Sequence, residues 1–366
     1  CIRDSILPSL IDKFHLDEVG AGVLTSLLPL GILVGSLLFG PLVDRHSYKY
    51  LLVISSIIII AGMEGIATTE NILTLQGSIL IIGIGGGAIN GGTNALVADI
   101  SSNNASKRGS NLSFLGVFFG VGALGMPLLL GFLSEYFDYF EIIAASGLVL
   151  LLPTVLFTVI RYPQAKQGHG VPLKESLRLA KDPSLILLGM ILFFQSGIEG
   201  IISNWSTLFL VTESGFIHDH ALFALSVFVI SLTITRLVLT FVLNRARSYK
   251  VLVISVIVVF GGIVSLMVAF PKHELVGLAL LGAGLAAGFP LVLSYVGSLY
   301  SNMSGTAFSL VLVIGLAGNI LLNLVMGLVS NSLGISVYPS LLIICAICMA
   351  AVLYLTLKRI SKHTYI

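Results

Sequence analysis

Polar side chains recur at a regular spacing inside strongly apolar segments of this chain, as three pairs four residues apart: Asn90 and Asn94, Gln195 and Glu199, and Asn319 and Asn323. Because a helix places residues i and i+4 on one face, each pair presents its two polar groups in one direction. The five amide side chains and one carboxylate of these pairs can form many hydrogen bonds but few ion pairs. This composition favours binding of a neutral, polyhydroxylated solute. Hydrogen bonds between neighbouring helices are the alternative role for the same amides.

Four further side chains extend this polar set. Trp205 follows the Gln195–Glu199 pair and could stack on the apolar face of a sugar ring. Arg3, Asp4 and Arg236 also lie in apolar surroundings, where ionisable groups are costly and usually face a cavity or another helix. The whole set is a candidate solute site if the segments that carry it meet within a membrane.

Composition decides which class of protein surrounds these side chains. Hydrophobic residues make up 56% of the 366 residues and charged residues only 10%, whereas soluble domains carry about 25% charged residues. So few charges exclude a cytosolic enzyme, a nucleic-acid-binding protein and a disordered chain, and they predict a lipid bilayer as the solvent. The net charge of +2 indicates no polyanionic partner. The three cysteines are interpreted as packing residues, and we expect no metal or cofactor.

Apolar runs of about 20 residues, the length of a membrane-crossing helix, occur eleven times. They cover roughly residues 20–43, 50–67, 73–99, 111–133, 140–160, 184–211, 221–243, 250–270, 274–299, 304–331 and 335–357. Residues 1–14 are too short to cross and are interpreted as the end of a first helix that begins before this chain. The prediction is an all-α membrane protein with twelve helices.

Lysine and arginine give the orientation of these helices. Loops on one side carry fifteen basic residues, whereas the opposite loops carry only Lys13 and Lys272. Because basic loops stay in the cytoplasm, the first side is predicted to be cytoplasmic, and with twelve helices both termini face it. No cleavable signal peptide is visible. The expected location is the plasma membrane, the inner membrane of a bacterium.

The longest polar stretch, residues 161–183, divides the chain into similar halves, 1–160 and 184–366. Ser47-Tyr48-Lys49 recurs as Ser248-Tyr249-Lys250, an offset of 201 residues, and two further matches lie about 200 residues apart. This repeat predicts two six-helix bundles joined by a cytoplasmic linker. Parallel repeats of this kind place a solute path at their shared interface, near the middle of the membrane.

The loop between the second and third predicted helices reads Gly40-Pro41-Leu42-Val43-Asp44-Arg45-His46-Ser47-Tyr48-Lys49. It resembles the G-x-x-x-D-R-x-G-R/K loop of the major facilitator superfamily, with Ser47 in place of the usual glycine. Gly40 would let two helices approach closely, and Asp44 suits a helix N-terminus or a cationic partner. The resemblance implies a two-bundle transporter that works by alternating access. It also implies a cytoplasmic gate, to which we assign Gly40, Asp44, Arg45, Lys49 and Arg108.

The fifth predicted helix carries a series of small residues and one proline: Gly116, Gly120, Gly122, Gly125, Pro127 and Gly131. This series resembles the glycine–proline motif of drug–proton antiporters. Close packing between helices is the alternative explanation for it.

Three short stretches resemble a narrower family, the fucose–galactose–glucose proton symporters: Asp4-Ser5-Ile6-Leu7-Pro8, the segment 83–94 and the segment 195–205. The resemblance implies that Asp4 is a protonatable group of the path and that Glu199 and Asn94 bind sugar hydroxyls. Asn90 stands where that family has an acid implicated in coupling. Coupling is therefore assigned to Asp4 with Arg3 or to Glu199 with Arg236, with a proton, a sodium ion or no ion driving the cycle.

These features together predict a monomeric secondary transporter for a sugar or sugar-like solute. The substrate-binding residues are predicted to be Asn90, Asn94, Gln195, Glu199, Trp205, Asn319 and Asn323. A drug–proton antiporter and a non-transporting receptor of the same fold are the alternatives. Enzyme activity is not expected, because all seven histidines fall in loops or tails and form no catalytic cluster within the spans.

Overall fold

The computed structural model describes residues 13–14, 18–101, 105–163, 178–268 and 273–363. Over these ranges all regular structure is helical, which confirms the predicted all-α class. The α-helices are α1 (Glu18–Arg45), α2 (Tyr48–Thr68), α3 (Ile72–Ile100), α4 (Ala105–Leu133), α5 (Tyr139–Val149), α6 (Leu151–Val159), α7 (Pro183–Thr212), α8 (His218–Val242), α9 (Ser248–Met267), α10 (His273–Leu285), α11 (Gly288–Leu299), α12 (Ser304–Leu333) and α13 (Tyr338–His363). Residues 1–12 of the predicted first helix lie outside the described residues.

Eleven spans in the described part of the chain are long and apolar enough to cross a membrane, and each lies close to its predicted range. Their outer surfaces are apolar as well: Leu128, Leu152 and Val159 are 76%, 74% and 75% exposed. Surfaces of this kind are not stable in water, so they are the surfaces that meet lipid.

Two of the eleven spans are divided into two α-helices each. The span His273–Leu299 is interrupted at Ala286 and Ala287, between α10 and α11. Pro290 has no N–H to donate to the Ala286 carbonyl, and a proline four residues on typically breaks a helix in this way. The span Tyr139–Val159 is likewise interrupted at Leu150, shortly before Pro153.

The first of two compact units comprises Cys1–Leu96, Gly125–Pro172 and Asn302–Ser309. Its apolar core includes Leu24, Ile66, Leu75, Ile79 and Ile143. Within this unit α1 crosses α3 at Gly31 and Gly83, where a Cβ on either residue would lie 2.9 Å from the Cα of the other. Glycine at both positions lets the two backbones touch, as small residues do between membrane helices.

The second unit comprises Val97–Leu124, Leu173–Ser301 and Leu310–Ile366. In this unit α7 crosses α12 where Gly318 lies against the backbone of Phe193. The first half of α4 also belongs here, because Ser110 Oγ donates a hydrogen bond to the Thr240 carbonyl of α8 at 2.5 Å. The predicted division into bundles 1–160 and 184–366 stays a prediction, and residues 164–177 of the linker lie outside the described ranges.

Candidate functional site

Asp44 lies in the last turn of α1 and is fully buried. Its carboxylate accepts hydrogen bonds at the N-terminus of α12: Oδ1 from the Gly305 N–H at 3.0 Å, and Oδ2 from the Thr306 N–H at 2.8 Å and hydroxyl at 2.7 Å. The first N–H groups of a helix have no partner within the helix, and the helix dipole favours a negative charge beside them. The aspartate of the loop motif therefore caps a helix from the other half of the sequence.

Gly40 makes this contact possible one turn before Asp44. A Cβ at Gly40 would lie 2.5 Å from the Gly305 carbonyl oxygen and 2.6 Å from Ser309 Cβ, so any larger residue would push α12 away. Ser309 Oγ in turn donates to the Ser36 carbonyl of α1 at 2.6 Å. We refer to Gly40, Asp44, Gly305, Thr306 and Ser309 as the Asp44 clasp; all five belong to the first unit.

The other predicted gate residues have different partners. Arg108 is buried in the second unit, where Nε donates to the Ala98 carbonyl at 3.0 Å and Nη1 donates to the Ser294 carbonyl and the Ser298 hydroxyl. Arg108 thereby holds the end of α3 and the middle of α11. Arg45 is exposed, and Lys49 donates its backbone N–H to Ser47 at the start of α2.

A polar seam joins α7 to α12 in the second unit. Asn323 Oδ1 accepts from the Trp205 indole N–H at 3.2 Å and from Asn204 Nδ2 at 3.0 Å, and Asn319 Nδ2 donates to the Ser196 carbonyl at 2.9 Å. Gly200 faces both asparagines, since its Cβ would lie 2.5 Å from Asn323 Nδ2 and closer still to Asn319 Nδ2. We call this group, Ser196, Gly200, Asn204, Trp205, Asn319 and Asn323, the α7–α12 seam.

The remaining predicted solute ligands lie in two places. Asn90 is exposed and Asn94 is buried on α3 of the first unit, with Asn94 Nδ2 donating to the Asn90 carbonyl at 2.8 Å. Gln195 is 2% exposed in the second unit and donates to the Leu285 carbonyl at 2.9 Å, at the break between α10 and α11. This amide satisfies a carbonyl that the break leaves accessible.

Glu199 of α7 and Arg236 of α8, the proposed coupling pair of the sequence analysis, are near enough for their charges to attract each other. Arg236 is 6% exposed, and Nη1 donates to the Gly116 carbonyl of α4 at 3.4 Å. Its Nε is buried without a hydrogen-bond partner among the described residues. A guanidinium in this position depends on the nearby carboxylate for compensation of its charge.

The glycine series of α4 divides into two parts. Gly116 and Gly120 lie directly against Arg236 and Thr233 of α8, where a Cβ would strike either side chain. A Cβ at Gly122, Gly125 or Gly131 would meet nothing within 4 Å. The first two glycines therefore serve helix packing, and the packing includes a charged residue of the candidate site.

Two of the predicted coupling residues, Arg3 and Asp4, lie outside the described residues. Within the described ranges, no group of three or more histidine, cysteine or acidic side chains could hold a metal ion. The residues that the sequence alone did not single out are Gly305, Thr306 and Ser309. The available signal was Ser304-Gly305-Thr306 just before an apolar run, because small polar residues are typical of a helix N-terminus.

Comparison with known proteins places these features in a family. The Major Facilitator Superfamily profile matches residues 4–274, well over half of the chain. The glucose/mannose transporter GlcP of Bacillus subtilis is 23% identical over 308 residues, which cover 79% of this chain and 74% of that protein. A homolog of the multi-drug resistance efflux pump PmrA from Lactococcus lactis is 29% identical over 177 residues, 48% of this chain and 43% of that one.

The fold agrees with this assignment. The crystal structure of the Escherichia coli fucose:proton symporter FucP superposes with a TM-score of 0.80 at 19% identity, covering 98% of this chain and 95% of that one. At this identity the likeness concerns the fold alone. Eleven described spans, the Asp44 clasp at the loop motif and a profile match over most of the sequence lead to one conclusion: the chain belongs to the major facilitator superfamily and is a multi-pass membrane transporter, not an enzyme.

Proposed function

We propose that this transporter carries a small polar solute, a sugar or a sugar-like compound, by alternating access and with a coupled cation. The α7–α12 seam is the observation that carries the proposal. Asn323 accepts a hydrogen bond from the indole N–H of Trp205 and so fixes the ring, and an indole ring is suited to stacking on the apolar face of a sugar. The names of two similar proteins, a glucose/mannose transporter and a fucose:proton symporter, support the same class of substrate.

Within this proposal the predicted ligands have separate roles. Trp205 supplies the stacking surface. The exposed amide of Asn90, and that of Asn204, which the α7–α12 seam adds to the predicted set, are suited to donate to and accept from hydroxyl groups. Asn94, Gln195, Asn319 and Asn323 are the buried or partly buried amides of the predicted set, and Glu199 is its one acid. Asn323 already accepts two hydrogen bonds, so its contribution is to position Trp205 and Asn204.

Coupling is proposed to act through Glu199 and Arg236. Protonation of Glu199, or sodium binding beside it, would alter the charge balance of a guanidinium that is almost completely buried. Because an uncompensated buried charge is strongly unfavourable, the ion would change the relative stability of the two states of the cycle. Asp4 with Arg3 is the second proposed pair.

The Asp44 clasp is proposed to be part of the cytoplasmic gate, because it lies where the predicted cytoplasmic end of α1 meets the first turn of α12. The proposal includes a monomer in the inner membrane of a bacterium, with both termini in the cytoplasm. The asymmetry of lysine and arginine between the two sets of loops supports this orientation.

Intrinsic fluorescence offers a direct test, because Trp205 is the only tryptophan in the chain. Hexoses, pentoses and non-sugar solutes are titrated into purified protein while tryptophan emission is recorded. We expect a saturable change with a sugar and none with a matched osmolyte, and we expect Asn323→Leu to weaken the change by freeing the indole. If none of the sugars gives a saturable change in emission, the proposed substrate class is wrong.

Transport itself is measured in proteoliposomes with labelled solute under an imposed pH or sodium gradient. Gradient-driven accumulation that is lost in Glu199→Gln supports the proposal, with Glu135→Gln, in the turn after α4, as the matched control. The efflux-pump homolog favours one rival, a drug–proton antiporter, as does the resemblance of the α4 glycine series to an antiporter motif. Proton-driven movement of a lipophilic cation without sugar flux would establish that rival, and sugar binding without flux would indicate a receptor.

A further inference from the structure

A cavity of about 400 Å³ opens in the second unit, at the end of α7 that lies away from the linker. Its walls are the end of α7, the end of α9, the first turn of α10, and the 3₁₀ turn Ile335–Val337 with the start of α13. All of its lining residues belong to the second unit, and none is part of the predicted solute site or the Asp44 clasp. Small-molecule sites in proteins have volumes of about 300–1,000 Å³, so the cavity is large enough for a ligand.

The buried part of the lining is apolar and firmly held. Phe209, Leu266 and Pro339 are its buried apolar side chains. The Phe209 ring stacks on that of Tyr338 with centroids 4.9 Å apart, and the Tyr338 hydroxyl lies 2.7 Å from Ser206 Oγ. These contacts fix α7 and α13 to each other beside the cavity. A cavity whose walls are already fixed binds a ligand at a lower entropic cost.

Two carboxylates line the cavity, one in its buried part and one at its rim. Glu274, in the first turn of α10, is 6% exposed, whereas Glu213, directly after α7, is exposed. Glu274 Oε1 lies 3.3 Å from His273 Nε2, and Ser265 Oγ of α9 donates to the His273 carbonyl at 2.9 Å. The described residues that line the cavity include no lysine or arginine. A cleft lined by two acids and at most one cation attracts positively charged ligands.

The lining suits an organic cation better than a metal ion. Within the described ranges, no three histidine, cysteine or acidic side chains lie close enough together to hold a metal. An ammonium group needs only acceptors for its N–H groups, and carboxylates and serine hydroxyls are acceptors of this kind. The cavity supplies the hydroxyls of Ser214, Ser336 and Ser340 in addition to the two carboxylates. Its apolar side chains would cover a hydrocarbon substituent on the same ligand.

We propose that this cavity is an accessory binding site for a small organic cation, an ammonium group with an apolar substituent. Glu213 at the rim attracts the cation, and Glu274 binds the ammonium group in the buried part. Because the walls come from α7, α9, α10 and α13, the occupant holds the ends of two helices against the starts of two others. A ligand that binds only the folded arrangement stabilises it. The site is separate from the α7–α12 seam and does not depend on the proposed sugar.

Three probes with the same ring and different charges test the proposal by calorimetric titration of the purified full chain. Benzylammonium, benzyl alcohol and benzoate all fit by size, since a protein cavity of about 150 Å³ already holds benzene. We expect benzylammonium to bind at least about tenfold more tightly than benzyl alcohol, because hydrogen bonds between ions are the stronger ones, and benzoate to show no binding. Equal affinities for the ammonium and the alcohol, or no binding of benzylammonium, would overturn the proposal.

Substitutions then locate the bound cation. Glu274→Gln should weaken benzylammonium binding by about tenfold or more, and Glu135→Gln, at an exposed acid outside the cavity, should leave it unchanged. Ser340→Phe is a second variant that keeps the buried acid: Ser340 is exposed at the rim, and the added ring should fill the cavity and abolish binding. Binding that survives both cavity variants but is lost in Glu199→Gln would place the cation at the solute site and overturn the proposal.

Discussion

Asp44 receives both the backbone N–H and the side-chain hydroxyl of Thr306, at 2.8 and 2.7 Å on the same carboxylate oxygen. This pairing ties the final turn of α1 to the first turn of α12. The Asp44 carboxylate binds the Thr306 N–H directly at the start of α12. The contact therefore combines a helix cap with a charge–dipole interaction. Substitutions at these two residues separate the contributions.

Removal of the charge should weaken the clasp more than removal of the hydroxyl. Asp44→Asn keeps one oxygen acceptor but loses the charge, and a hydrogen bond to a buried charged group is worth about 1.5–3 kcal/mol. Thr306→Val should cost about 1 kcal/mol, and Thr306→Ser should cost less because the hydroxyl stays. The effects are measured with a Ser309→Cys thiol in a chain whose three native cysteines are replaced by alanine. Because Ser309 is 3% exposed, the rate at which maleimide labels this thiol reports how often the clasp opens. Equal labelling rates in Asp44→Asn and the parent would show that Asp44 does not hold the gate.

A methyl group at Gly40 should open the same contact by steric exclusion. Its Cβ would lie within 2.5 Å of the Gly305 carbonyl, closer than real Cβ atoms come to an oxygen. Gly22→Ala provides the control on the same helix, because a Cβ there meets nothing within 4 Å. We expect faster labelling and slower net uptake in Gly40→Ala, and parental behaviour in Gly22→Ala; identical behaviour of the two variants would contradict the close approach.

The α7–α12 seam should be disrupted by one added methyl group. Gly200→Ala would place its Cβ against the amides of Asn319 and Asn323, and Asn323 would then release the Trp205 indole. The expected result is a shifted emission maximum and a weakened fluorescence response to the sugar. Gly261→Ala, at a position with open space in the same unit, serves as the control. An unchanged spectrum in Gly200→Ala would show that the seam does not hold the indole.

Glu199 and Arg236 should behave as one electrostatic unit. Glu199→Gln leaves a buried guanidinium without compensation, so the melting temperature should fall, and Arg236→Gln should lower it for the complementary reason. The double variant should lose less stability than the sum of the two single variants, because it removes both charges together. Additive losses in a thermal unfolding assay would mean that the two side chains do not depend on each other.

The partly buried phenol of Tyr300, between α11 and the 3₁₀ turn Ser301–Met303, should make the stability of the protein depend on pH. Burial, and then the neighbouring Asp182 charge, raise the pKa of Tyr300 above its ordinary value of about 10. A raised pKa in the folded state gives stability that is complete below the ordinary pKa and is lost as pH rises through the higher value. The difference in melting temperature between the parent and Tyr300→Phe should therefore stay constant between about pH 6 and 9 and shrink above about pH 10. A difference that already falls near neutral pH would exclude this origin.

Most of the fold is predictable from the sequence, because apolar length alone defines a membrane helix. The predicted run 50–67 appears as Tyr48–Thr68, and the run 184–211 appears as Pro183–Thr212. The interruption of the span His273–Leu299 is different in kind. Pro290 indicates a break in the helix, but the hydropathy of the span does not reveal it, because the residues on both sides of the break are apolar.

The site is harder to predict because its partners are remote in the sequence. The motif indicates that Asp44 needs cationic or N–H partners, yet Gly305 and Thr306 lie more than 260 residues away. Spacing also groups Gln195 with Glu199, whereas in the fold Gln195 donates to Leu285. A periodic pattern identifies a helix face but does not tell which neighbour covers it, so the assignment of Gln195 to the solute stays a prediction.

The Gln195 contact has an evolutionary consequence. Its amide donates to Leu285 while its side-chain oxygen fills the space that a Cβ at Gly288 would need. A residue larger than glycine at position 288 is therefore tolerated only if Gln195 is replaced by a shorter side chain. Such a replacement leaves the Leu285 carbonyl at the break without its hydrogen bond. Because each single change is unfavourable on its own, positions 195 and 288 should rarely change separately in evolution and should change together when they do.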